Sequence, residues 1–239
     1  MCVICETNKV GRRRFLKFGA GALAAVAAGA APAAYAAGGA TTSVSSDEAL
    51  ARLKDGNERF VSQPEVCSLD LAKQRGQVAG SQAPWATIIS CADSRVPPEL
   101  IFGGRGVGEL FVARNAGNLV DTATLGTVEY GSAVLGSPLI VVLAHTSCGA
   151  VKAACDVVLK NATFPGAIGT MIEPILPAAL AARSEAGDFV NDTAKRSALR
   201  TAERLPAEST LISGLVKDGK LKVVAAIYDL QSGVVTYLS

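Results

Sequence analysis

A single histidine and a single tryptophan occur in 239 residues, and aromatic residues make up only 5% of the chain. So few aromatics exclude a stacking platform for single-stranded nucleic acid. No charge of one sign dominates. Basic residues number 23 and acidic residues 21, a net charge of +2, so nothing suggests a polyanion partner. One histidine rules out a three-histidine metal site, and a functional His145 has no second histidine as helper. Six cysteines are too few for a disulfide scaffold of this length but sufficient for a metal site. Apolar residues are plentiful, at 49%. That supplies a core, excludes an intrinsically disordered chain, and suits one ordinary domain with extra segments at its ends.

The apolar residues are unevenly spread. Residues 18–40 carry no charge and are nearly all Ala, Gly, Val, Leu and Pro. Arg12, Arg13, Arg14, Phe15, Leu16 and Lys17 precede them, and Ala34-Tyr35-Ala36 offers a small-x-small cleavage step. A basic segment, a weakly apolar segment and a cleavage step read together as a secretory signal over 1–36. The paired arginines resemble a twin-arginine address, used by proteins exported already folded. The stretch is poor in large apolar residues and broken by Pro32, which argues against a membrane span. The expectation is a periplasmic or secreted protein, passed through the twin-arginine machinery and free of the membrane after cleavage. Cleavage removes five basic residues and one acidic residue and turns a net +2 into −2. Cys2 and Cys5 leave as well, and with them the only C-x-x-C pair.

Residues 37–239 read as one α/β domain. Ser45 and Glu48 form a capping-box pattern, and Leu50, Leu53, Asn57 and Phe60 follow on one helical face. Helices are expected near 70–78, 121–135 and 149–159, and 170–217 is helix-rich. Strands are expected at 85–90, 109–114, 138–144, 222–228 and 234–238. Strands alternating with helices, including a nearly unbroken apolar run at 138–144, predict a mainly parallel central sheet flanked by helices. The Gly103–Gly108 stretch fits no phosphate-binding spacing and reads as a turn before a strand.

Two of these strands run straight into chemistry. The first leads to Cys91, Asp93 and Arg95; the third leads to His145 and Cys148. Ligands bind at the carboxyl edge of open α/β sheets. If the two strands are neighbours, two sulfurs, one imidazole and one carboxylate converge there, a set that suits Zn²⁺ and not Mg²⁺ or Ca²⁺. Cys155, four residues after Val151 on a helix, reads as a buried core residue, and Cys67 as a loop cysteine without a partner.

Three blocks together resemble β-class carbonic anhydrases: Cys91-Ala92-Asp93-Ser94-Arg95-Val96-Pro97, Val112-Ala113-Arg114-Asn115-Ala116-Gly117-Asn118 and His145-Thr146-Ser147-Cys148-Gly149. The resemblance covers about residue 46 to the end. It implies one Zn²⁺ per chain on Cys91, His145 and Cys148, with Asp93 either the fourth ligand or paired to Arg95. It also implies a substrate pocket using Gln82, Phe111, Tyr130 and the backbone of Gly149. Homodimers, often paired into homotetramers, would place that pocket at a subunit interface. The implied reaction is reversible hydration of carbon dioxide to bicarbonate and a proton by a zinc-bound hydroxide. Hydrolysis of carbonyl sulfide or carbon disulfide at the same site and a non-catalytic zinc protein are the alternatives. Two positions depart from the pattern. Ala144 replaces the usual Gly before the histidine. Ile88 replaces the Trp of a regulatory bicarbonate site, although Arg114 and Tyr228 match its other two members. Trp85, three residues from Ile88, is expected on the opposite strand face.

Overall fold

The computed structural model describes residues 41–63, 71–184 and 186–239. The expected signal segment at 1–36, Cys67 and Asp70 lie outside the described residues. In chain order the elements are α1 (Ser46–Ser62), α2 (Leu71–Val78), β1 (Ala86–Cys91), α3 (Pro98–Ile101), β2 (Leu110–Asn115) and α4 (Thr122–Glu129), which runs into a π-helical turn at Tyr130–Val134. Next come β3 (Leu139–His145), α5 (Gly149–Lys160), α6 (Ile168–Ile172), a 3₁₀ turn at Glu173–Ile175, α7 (Leu176–Ala182), α8 (Phe189–Glu208), α9 (Thr210–Lys217), β4 (Lys222–Tyr228) and β5 (Val235–Leu238). None of the described helices is long and apolar enough to cross a membrane.

The sheet order is β2-β1-β3-β4-β5. The first four strands are parallel, and β5 closes the edge antiparallel to β4. This is the expected α/β architecture. Every residue of β1 and β3 is buried, which explains why their sequences run apolar without alternation. Successive side chains of β3 point to opposite faces. Ile140, Val142 and Ala144 join a core that includes Val151 of α5, Ala179 of α7, Ala198 of α8 and Ile212 of α9. Leu139, Val141 and Leu143 join the other core, with Leu53 of α1 and Ile101 of α3. Each fully buried Leu, Ile or Val contributes about 1.5–3 kcal/mol.

α1 begins as expected, with the Ser45 hydroxyl accepting from the Glu48 amide at 3.2 Å. Its one buried amide side chain, Asn57, is fully used. Nδ2 donates to Ile101 O and Gly233 O, and Oδ1 accepts from Val235 N. Asn57 thus ties α1 to α3 and to the β4–β5 hairpin. The glycine-rich stretch is a packing device. A Cβ on Gly103 (φ 85°) would lie 2.7 Å from Gly56 O, so α1 and this turn touch backbone to backbone.

The helix expected over 121–135 is present as α4 plus the π turn, with Asp121 as its cap. Gly131 of that turn packs against the Phe111 ring and Thr87, where a Cβ would lie 2.8 Å from Phe111 Cδ1. One expectation is corrected. Trp85 does not face away from Ile88. Both belong to the α1-side core, since Trp85 precedes β1 and escapes strand alternation.

Candidate metal centre

β1 and β3 are hydrogen-bonded neighbours in parallel, so Cys91 and His145 end adjacent strands at the carboxyl edge of the sheet. From His145 the chain turns into α5 in three residues. Ser147 takes a left-handed conformation (φ 55°), and Cys148 then stands as the cap residue of α5. The turn brings Cys148 Sγ to 3.9 Å from Cys91 Sγ. One ligand atom from each of Cys91, His145 and Cys148 lies within 4.8 Å of the others, and all three residues are buried.

The electrostatics of this cluster fit a dication. His145 Nδ1 lies 2.9 Å from Thr146 O, so Nδ1 carries the proton and Nε2 presents a lone pair. Nε2 is fully buried and has no hydrogen-bond partner among the described residues, an orphaned acceptor that a metal would satisfy. The Cys148 thiol beside Cys91, with the Gly117 amide at 3.3 Å, favours the Cys91 thiolate, while the Cys91 sulfur and burial push the Cys148 thiol up. A cation between them is what allows both to ionise. Two thiolates and one imidazole are ligands of zinc, and they leave a tetrahedral ion one open position.

Asp93 stands beside this cluster. Its Oδ2 is 3.9 Å from His145 Nε2. Its carboxylate is bonded to Arg95. Arg95 Nε donates to Oδ1 at 2.9 Å, Nη2 to Oδ2 at 2.7 Å, and the Arg95 amide to Oδ1 at 2.9 Å. These bonds hold the Asp93 carboxyl well below the usual carboxylate range. Arg114 clamps the same loop from β2, donating to Cys91 O at 3.0 Å and Asp93 O at 2.7 Å. Tyr228, the other match to the regulatory anion site, is buried in the α1-side core with Ile88. Ala144 is buried on the opposite side, where its methyl joins the α5–α8 core.

The structure therefore brings together Cys91, Asp93, Arg95, His145 and Cys148, with Gly149 opening α5 beside them. Gln82, Phe111 and Tyr130 lie elsewhere in the same chain. Phe111 is paired with Thr87, four residues before Cys91, about 13 Å back along the strands. Tyr130 packs near it, with ring centroids 6.2 Å apart, and is 44% exposed. Gln82 is exposed in the loop before β1. Two residues at the centre have no signature in local spacing. Thr146 bonds to the β4 end, its amide to Tyr228 O and its hydroxyl to the Leu230 amide. Asn191, 44 positions from Ser147, accepts the Ser147 amide at 3.0 Å.

Comparison with known proteins agrees with this geometry. The family model described as carbonic anhydrase matches residues 86–235. The chain belongs to the carbonic anhydrase family. It is 42% identical to carbonic anhydrase 2 of Mycobacterium tuberculosis over 183 residues, covering 76% of this chain and 87% of that one. It is 36% identical to the carbonic anhydrase of Mycolicibacterium smegmatis over 181 residues, with the same coverage. Among solved structures, the tetrameric β-carbonic anhydrases of Sordaria macrospora superpose with a TM-score of 0.62 at 25% identity, over 76% of this chain and 90% of that one. The Coccomyxa β-carbonic anhydrase bound to acetazolamide gives 0.62 at 27%, over 82% and 87%. The class is thus β, and the protein is an enzyme of the carbonic anhydrase family.

Proposed function

We propose that the protein hydrates carbon dioxide reversibly to bicarbonate with one zinc ion held by Cys91, His145 and Cys148. The observation that carries this reading is Asp93, bonded to Arg95 beside three buried candidate ligands, an arrangement that would leave the fourth position of a bound zinc open. A structural zinc site closes that position. When bound, zinc lowers the pKa of water and supplies a nucleophile near neutral pH.

The chain's own groups do the rest. Asp93 accepts a hydrogen bond from the nucleophile and turns its lone pair toward the substrate carbon. His145 is wholly buried and committed to the ligand set, so the proton leaves through water and buffer. Because Phe111 and Tyr130 lie far from their own chain's ligands, a second subunit would supply the apolar wall for the uncharged substrate. The tetrameric Sordaria relatives support an assembly of this kind. The signal pattern supports export to the periplasm or beyond. Zinc content and stopped-flow carbon dioxide hydration on purified protein beginning at Ala37 test the reaction, with carbonyl sulfide and carbon disulfide run in parallel. One zinc per chain with rapid hydration is expected; zinc without hydration would overturn it.

A further inference from the structure

We propose that Asn191, at the start of α8, is a positioning residue for the metal site, holding the His145–Cys148 turn in the shape that presents Cys148. The inference rests on the zinc reading above. His145 and Cys148 must aim at one point although only two residues separate them and the chain changes there from strand to helix. Ser147 meets that demand in the left-handed region at φ 55°, which a residue bearing a Cβ adopts only when its surroundings hold it there. Thr146 is fixed by Tyr228 O and the Leu230 amide. The Ser147 amide is fixed by Asn191 Oδ1 at 3.0 Å.

The orientation of the Asn191 amide is itself set. Its Nδ2 donates to Asp188 Oδ2 at 2.8 Å, which turns Oδ1 toward Ser147. Asp188 is the cap of α8, its Oδ1 accepting from the Val190 and Asn191 amides, so it cannot swing away without uncapping the helix. Two residues further along, Thr193 lies 3.5 Å from Cys155, so the start of α8 is packed on the helix that Cys148 begins. Asp188, Asn191, Ser147 and Cys148 therefore form one chain of contacts from a helix cap to a ligand. Loss of a group that holds a metal ligand directly costs about 10–100-fold in metal affinity or activity, and Asn191 acts on the residue next to one.

The test uses native protein, Asn191→Ala, Asn191→Asp and the exchange Asp188→Asn with Asn191→Asp, all zinc-loaded. Zinc transfer to 4-(2-pyridylazo)resorcinol is timed, the visible spectrum of the cobalt-substituted protein is recorded, and kcat and KM are measured. Asn191→Ala should release zinc at least about 10-fold faster, change the thiolate-to-cobalt bands and lower kcat more than KM. Asn191→Asp alone sets two carboxylates against each other and should also speed release. The exchange restores an acceptor for Ser147 and a donor between positions 188 and 191, and should return release to within about threefold of native. Release from Asn191→Ala within twofold of native, with an unaltered cobalt spectrum, overturns the proposal. If Asn191→Ala does not fold, failure of the exchange to slow release relative to Asn191→Asp overturns it. Native protein that binds no zinc would instead remove the reading on which the inference rests.

Discussion

Arg95 reaches Asp93 with both its guanidinium and its backbone amide, and a side chain 57% exposed spends that reach on one carboxylate. A pair whose arginine is more than half exposed adds little to stability, and we propose that its use lies in what Asp93 would do without it. A free carboxylate beside a dication is drawn onto it. The planar fork of arginine offers two parallel bonds that a lysine ammonium cannot match. Arg95→Ala should therefore let Asp93 close the fourth position. Zinc content and circular dichroism should stay native while hydration falls by on the order of 10²-fold, the scale of a misplaced reacting group. Arg95→Lys should fall between. A crystal structure of Arg95→Ala with Asp93 still off the metal and near-native rates would contradict the latch. This part of the site was legible because ligands and latch lie within a few residues of two strand ends. Asn191 was not, because a contact spanning 44 residues between a turn and a helix cap leaves no local spacing to read.

At the level of elements, Asp121 shows how much of a helix is set by its first turn. Its Oδ1 accepts the Thr124 amide at 2.8 Å and starts α4, which carries the chain from β2 to the turn bearing Tyr130. Asp121→Ala should cost about 1 kcal/mol at pH 7, read from urea midpoints. The bonds from Thr124 lower the carboxyl's pKa in the folded protein. A lowered value means the ionised cap contributes fully above the unfolded value of about 3.9, and the contribution is lost as pH falls through the folded value. The gap between native and Asp121→Ala should thus be constant from pH 8 to 5 and narrow below about pH 4. Asp121→Asn, which caps without charge, should show no such narrowing. The cap and the extent of the helix were readable in the sequence; its last turn being π was not, because periodicity cannot distinguish an α turn from a π turn. The central strands were legible because burial on both faces writes an unbroken apolar run, and the register that aligns Cys91 with its neighbours follows from that pairing.

For the whole molecule, the separation of Phe111 from Cys91 makes a prediction about assembly. On the proposed reading, Cys148→Ser would lack a metal ligand but keep the pocket wall, and Phe111→Ala would keep the ligands but lack the wall. If the wall comes from a second subunit, mixing the two inactive proteins after dissociation should restore activity, since each mixed pair contains one complete site. No gain on mixing would place the wall in the ligand-bearing chain. The same geometry bears on the route of export. Cys91 Sγ and Cys148 Sγ sit 3.9 Å apart, whereas a disulfide needs about 2.05 Å. Delivered unfolded to an oxidising compartment, these thiols are free to be joined, and a joined pair cannot bind zinc. Folded around the metal, they are buried and committed. Passage of an already folded chain, which the Arg12-Arg13 pattern resembles, avoids that loss. We therefore propose that zinc is taken up before export and that the arginine pair is required. Replacing Arg12 and Arg13 with Lys should leave unprocessed precursor in the cytoplasm, zinc-loaded and active on cell lysis, with the periplasmic fraction depleted. Native protein recovered from the periplasm should carry one zinc and no Cys91–Cys148 bond. Unchanged periplasmic activity in the lysine variant would show that the pair is not the address.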